Sequence, residues 1–198
     1  MPVSAPEAAS IAGRPGVELG RIGADIVEVG AYRGRAAELA GIARAQGVTL
    51  PTFGRIAAGV SCLSLCVRPQ RWLLLRPPAA PGAAAADWHR HCAGAGAAVD
   101  LSSGLAAGYL QGPALREVLA RGCRLDLDPD VFPPGHAAAT IVAQVSIILA
   151  ALGPGLLLLT PATTAMHLNE WLESAARSLG PLAHTNPSLA DLIGRAHR

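Results

Sequence analysis

His89, His91 and Cys92 stand close together, and these are the side-chain types from which metal sites are built. On a helix, residues two apart point to different faces, so the two histidines are poorly placed to share one ion. No second ligand pair follows at zinc-like spacing. Both histidines are therefore read as side chains of a partly exposed helix. Cys62 and Cys66 lie four apart on a strand, too far for a bidentate clamp, and read as small buried apolar residues. Asp126, Asp128 and Asp130 have the spacing of a calcium loop, but Pro129 intrudes. The loop-forming Gly and the closing Glu are missing, which leaves a solvated acidic loop. Ser102 and Ser103 lack the strand-turn-helix setting of a nucleophile elbow. There is no Lys for a Schiff base or a phosphate-binding loop. Gly30 and Gly34 separate a strand from a helix, but their spacing is not that of a dinucleotide fingerprint. After Glu38 the next acidic residue is Asp87, so none is placed to hold a ribose. No residue is assigned to catalysis, a cofactor or a metal.

The elements that would position these residues can be read from periodicity. Ile26–Val29 reads as a strand, and Arg35–Gln46 as a helix with Ala36, Leu39, Ala40 and Ala43 on one face. Gly47 is placed to end that helix. Ser61–Val67 and Trp72–Leu75 read as strands, the second stopped by Pro77 and Pro78, and Ala83–Cys92 as a helix. A strand over Gly108–Gln111 and a helix over Ala114–Arg121 follow, with Pro113 suited to the first helical turn. Ile141–Leu149 alternates, with Ile141, Ala143, Val145, Ile147 and Leu149 on an apolar face and Gln144 and Ser146 opposite. Gly153-Pro154-Gly155 turns that strand into Leu156–Leu159, and an amphipathic helix over Thr163–Ser178 closes the series. The apolar stretch from Ile141 to Leu159 is thus a hairpin rather than the about 20 uninterrupted apolar residues of a membrane span.

Each half reads strand, helix, two strands, helix. Leu73-Leu74-Leu75 and Leu156-Leu157-Leu158 stand at the same spacing as Asp87-Trp88 and Glu170-Trp171. The predicted fold class is α+β: two ferredoxin-like βαββα halves, each unable to bury its sheet alone, packed together. The expected organisation is a flexible arm over residues 1–16, one domain over 17–180 with halves 17–98 and 99–180, and a tail over 181–198. Residues 1–16 have no basic start or apolar stretch of a secretory signal, so a cytoplasmic protein with reduced thiols is expected.

Of the 198 residues, 51% are hydrophobic and 15% charged, enough for a sizeable core and short of the usual quarter of charged residues. Net charge is +2, and all 16 basic residues are scattered Arg. Nucleic-acid binding needs a concentrated basic face, so it is not expected.

Several strings carry a family resemblance: Asp100-Leu101-Ser102, Gly112-Pro113 opening a helix, Gly122-Cys123 before Leu125-Asp126-Leu127, and Phe132-Pro133-Pro134-Gly135. With Gln70-Arg71-Trp72-Leu73-Leu74 and Glu170-Trp171-Leu172, they resemble the gamma-subunit family of heterotetrameric sarcosine oxidase over residues 17–180. That family is related to the folate-binding aminomethyltransferases, so the resemblance implies an aminomethyltransferase folate-binding-domain-like fold. It also implies a non-catalytic accessory subunit working with alpha, beta and delta subunits on sarcosine or a related N-methyl amino acid. FAD, FMN, NAD and tetrahydrofolate would be held by those partners and none by this chain.

The alternatives are a folate-dependent aminomethyltransferase-like protein and a stand-alone binding protein. The first carries extra domains that 198 residues do not accommodate. The related iron-sulfur-assembly branch carries a Lys-Gly-Cys motif, of which Arg121-Gly122-Cys123-Arg124 keeps Gly-Cys. The stiff loop Asp126–Gly135 is the expected partner contact, through Asp126, Phe132, Pro133 and Pro134, since a stiff loop loses little entropy on docking.

Overall fold

The computed structural model describes residues 16–196. The expected arm over 1–16 lies outside them apart from Gly16. The strands are β1 (Val17–Ile22), β2 (Asp25–Ala31), β3 (Arg55–Ala58), β4 (Leu63–Arg68), β5 (Arg71–Arg76), β6 (Gly96–Asp100), β7 (Leu105–Gln111), β8 (Ala137–Val142), β9 (Val145–Leu152), β10 (Gly155–Pro161) and β11 (Leu182–Thr185). The helices are α1 (Ala36–Ala45), α2 (Ala83–His91), α3 (Leu115–Ala120), α4 (Ala165–Ala176) and α5 (Leu189–Ala196). A six-stranded sheet runs β11-β1-β7-β10-β9-β8, and a five-stranded sheet runs β3-β4-β5-β2-β6.

The two sheets lie face to face. Ile26, Leu63, Leu65, Leu73 and Leu75 of one meet Ala107, Tyr109, Leu152, Leu157 and Leu159 of the other in a shared core. The outer face of the six-stranded sheet, including Val17, Leu110, Leu149, Leu156 and Leu158, packs under α3 and α4. The outer face of the five-stranded sheet, with Val27, Val29, Trp72 and Leu74, packs under α1 and α2. The layers are therefore helix, sheet, sheet, helix. The leucine runs of β5 and β10 follow from this, because a strand buried on both faces has no polar side to alternate with.

The two halves correspond element by element. β2-α1-β3-β4-β5-α2 in the first matches β7-α3-β8-β9-β10-α4 in the second, with the same strand order in each sheet. Trp88 and Trp171 sit on the corresponding helices α2 and α4. Their surroundings differ: Trp88 is buried, while Trp171 is half-buried.

Four features depart from the sequence reading. First, β3 and β8 add a third strand to each β-run, and β6 follows α2. These strands are rich in Ala and Gly, which have weak strand propensity, so only the pairing reveals them. Second, β1 pairs antiparallel with β7, in the sheet of the second half, although β2 follows it after two residues. Third, residues 181–196 hold β11, parallel to β1, and α5. Leu189, Leu192 and Ile193 of α5 enter the inter-sheet core. The Arg195 guanidinium lies 5.0 Å from the Tyr109 ring centre, and its Nη1 donates to Gln111 Oε1 at 2.7 Å.

Fourth, Ile141–Leu149 is not one strand. Ala143 and Gln144 form a two-residue turn with φ of 50° and 65°, joining β8 to β9. Such a turn pairs Val142 with Val145 on the core side and Ile141 with the exposed Ser146 on the other. Ile141 therefore leaves the face on which alternation placed it, whereas Val145, Ile147 and Leu149 keep theirs. The expected Gly153-Pro154 turn is present between β9 and β10, with Gly153 at φ of 56°.

Two substitutions separate these roles. Val145 is 6% exposed in the core under α4. Val145→Asp should cost about 3 kcal/mol or more, because a carboxylate there has no partner. Gln144→Gly should instead stabilise by about 1 kcal/mol, since the left-handed backbone strains any residue with a Cβ. Urea melts of the two variants would show opposite shifts of midpoint.

Candidate functional site

The residues that carried the resemblance are built into the scaffold. Asp100 Oδ1 accepts from the Ser102 N–H at 2.9 Å, and Ser102 Oγ accepts from the Ile26 N–H at 3.0 Å. The Leu101 N–H donates to Ile26 O at 2.8 Å. The Asp-Leu-Ser string thus ties the junction of the halves to β2. The Ser102 hydroxyl and then its backbone N–H hold the Asp100 carboxyl below the usual carboxylate range. Gly112, at φ of 121°, lets the backbone of residue 16 pass: a Cβ there would stand 2.7 Å from Gly16 O. Gly122 makes room for the indole of Trp171, whose Cζ2 would lie 2.5 Å from an added Cβ.

The Asp126–Gly135 loop behaves in the same way. Asp126 Oδ1 accepts from the Asp128 N–H and Asp128 Oδ1 from the Asp130 N–H, each at 2.9 Å. These carboxylates shape successive turns. Phe132, expected on sequence to face a partner, is 4% exposed and packs in the core beneath α3 and α4. Burial of its ring removes the aromatic area that a docking contact would need. Asp126 and Pro134 are exposed, Pro133 is half-buried, and Val131 supplies the exposed apolar surface. The following residues bolt the sheets together. Ile56 of β3 donates its N–H to Gly135 O at 3.0 Å, Ala137 of β8 donates to Gly54 O at 2.9 Å, and Gly135 donates to Ala151 O at 2.9 Å.

The other chemical candidates do not converge. His91 Nε2 lies 3.4 Å from Asp87 Oδ1 and its ring meets Trp88 edge-on, while His89 is exposed. Cys62, Cys66 and Cys92 are buried against the outer face of the five-stranded sheet. Burial raises all three thiols, Cys62 to about 12, so they stay protonated and unreactive at neutral pH.

A cleft of about 490 Å³ lies between the first turns of α4 and the six-stranded sheet. Arg21 of β1, Thr160 of β10, Asn169 of α4 and His184 of β11 supply its polar walls, and the exposed Met166 stands at its rim. The cleft exists because Ala106, Gly108, Ala162 and Ala165 face it with side chains too small to fill it. Sequence reading did not find it; the sole signal was that run of small residues on elements whose mutual packing was unknown. Its lining holds no Asp or Glu to accept from the amino-pyrimidinone edge of a pterin, and no Phe, Tyr or Trp to stack on it. The residues present do not fit a folate.

Two facing sheets with helices outside, built from corresponding halves, define the class: an aminomethyltransferase-like α+β fold. The glycine cleavage system aminomethyltransferase T from Bartonella henselae shares this fold. Its TM-score is 0.61 at 15% identity, over 89% of this chain and 49% of that one. The particular family is narrower. The sarcosine oxidase, gamma subunit family matches residues 33–177, and this chain belongs to it. It is also similar to a chain of the heterotetrameric sarcosine oxidase from Corynebacterium sp. U-96, solved in complex with pyrrole 2-carboxylate. There the TM-score is 0.74 at 28% identity, covering 87% of this chain and 89% of that chain. No curated protein matches the chain in sequence.

Two measurements test these placements. Phe132→Ala should cost about 3–4 kcal/mol, as for a buried aromatic, while Pro134→Ala should stay within about 0.5 kcal/mol. Denaturant titration would read both. Of the four cysteines, the half-buried Cys123 should be the first to react with a chromogenic disulfide at neutral pH, with the other three reacting after unfolding.

Proposed function

We propose that this chain is the accessory gamma-type subunit of a heterotetrameric complex that oxidatively demethylates sarcosine or a related N-methyl amino acid. The observation that carries this reading is the family match over residues 33–177. In this reading the reaction centres lie in alpha, beta and delta subunits, which hold FAD, FMN, NAD and tetrahydrofolate, and the complex works in the cytoplasm. Three buried, protonated thiols, carboxylates that shape turns, and a cleft without an acid support a chain that does no chemistry itself. Among the described residues no helix is long and apolar enough to cross a membrane.

An accessory subunit acts through the surface it buries, about 1,600 Å² for a standard stable interface. The exposed apolar residues Tyr32, Phe53, Val60, Val99, Val131 and Met166 are the candidates for such contacts. Purification through a tag on this chain, co-expressed with the three partners, tests the assignment. The chain should bring down yellow flavoprotein subunits, and alone it should be colourless and without oxidase activity. A flavin band that stays with the pure chain through gel filtration, or an active complex from which this chain is absent, would overturn the assignment.

A further inference from the structure

The faces beneath the outer helices differ between the halves at one matched position. Leu74 and Leu158 are each the fourth residue of the strand before the outer helix, β5 and β10, and both point outwards beneath those helices. Leu74 pairs with Val27, which is fully buried in the same layer as Trp88 of α2. Leu158 pairs with Gly108, and Gly108 pairs on its other side with Arg21. Cross-strand neighbours stand side by side on one face, so Gly108 leaves a notch between the side chains of Arg21 and Leu158. Helix α2 packs along β2 and β6, whereas α4 has its main contacts with α3 and β11 and stands off β7 and β1. The cleft of about 490 Å³ beside α4 opens over this notch and has the size of a small-molecule site.

Its chemistry is one-sided. Arg21 is exposed, and among the described residues no carboxylate pairs with it. The lining contains no acid; Glu173, outside it, faces His184 at 3.6 Å. Thr160 is 6% exposed, and its hydroxyl has Thr164 Oγ1 as a partner at 3.5 Å, the outer limit of a hydrogen bond. Leu158, Leu168 and Leu172 make a buried aliphatic floor. A guanidinium beside such a floor suits an anion with a hydrocarbon body. No acidic or aromatic side chain of the lining is available to hold an ammonium group, which disfavours the zwitterion of an amino acid.

We propose that this cleft binds a short aliphatic monocarboxylate as a free small molecule. Its carboxylate would lie on Arg21, with Thr160 and Asn169 as hydrogen-bond partners, and its chain on Leu158 and Leu168. The proposal is independent of the accessory-subunit reading, since it concerns a ligand of this chain alone. Isothermal titration of the full chain with hexanoate tests it. Binding should saturate at one equivalent. Hexan-1-ol, which lacks the charge, and norleucine, which adds an ammonium group to the same body, should each bind at least about tenfold more weakly.

Two variants locate the site. Arg21→Met keeps an apolar stem without the guanidinium; it should leave the melting temperature unchanged and weaken hexanoate at least about tenfold. Gly108→Val places in the notch the side chain that the first half carries at Val27. A Cβ there would stand 3.5 Å from Leu19 Cδ1, an ordinary contact, so this variant should keep its melting temperature and lose hexanoate binding. No saturable binding of hexanoate, equal affinity for hexan-1-ol, or either variant binding like the wild type would overturn the proposal. Binding to the isolated chain that disappears in the purified complex would assign the cleft to a partner's side chain, and would overturn the free-ligand proposal while leaving the accessory-subunit reading intact.

Discussion

The apolar layer between the two sheets is the constraint on which the rest of the molecule depends. Each sheet needs cover on both faces, and its own helices cover just one. Leu63, Leu65, Leu73 and Leu75 therefore depend on Tyr109, Leu152, Leu157 and Leu159 across the interface. Neither half could expose that face to water without losing the transfer free energy of several large side chains, at about 25 cal/mol per Å². The swaps of chain between halves serve the same layer. β1 sits in the second half's sheet while Ile22 at its end reaches the shared core, and α5 returns to place Leu192 and Ile193 there. The Asp100–Ser102 turn and the Gly135 bonds then fasten the two sheets at separate points.

This use of polar groups explains why a sequence with recognisable signature strings carries so little chemistry. The hydroxyl of Ser102, the carboxylates of Asp100, Asp126 and Asp128, and the conformational freedom of Gly112 and Gly135 are all committed to backbone geometry. The Asp100 carboxylate, which accepts from Ser102, is stabilised as the anion and is a poor proton donor near neutrality. Thiols buried in an apolar layer are poor nucleophiles.

The elements legible from sequence were those whose side chains announce their surroundings. The leucine runs of β5 and β10 read as buried strands stopped by turns, and the stripe Leu168, Leu172, Ala175 marked a helix face. The strings around Gly112, Gly122 and Phe132 pointed to the family, although Phe132, expected at a partner contact, is buried in the core. A loop aromatic next to two prolines suits an exposed contact and a core plug equally well. Which one it becomes depends on whether α3 and α4 leave a hole above the sheet.

The sequence by itself determined that there are two similar halves and that each holds strands buried on both faces. Tertiary structure decided the pairing of β1 with β7, the existence of the Ala- and Gly-rich strands β3, β6 and β8, the turn at Ala143-Gln144, and the cleft beside α4. For the Ala- and Gly-rich strands and the cleft the physical reason is common. Small side chains carry weak local preference, so their conformation is set by backbone bonds and contacts from residues distant in the chain. Those partners have an address only once both sheets are in place.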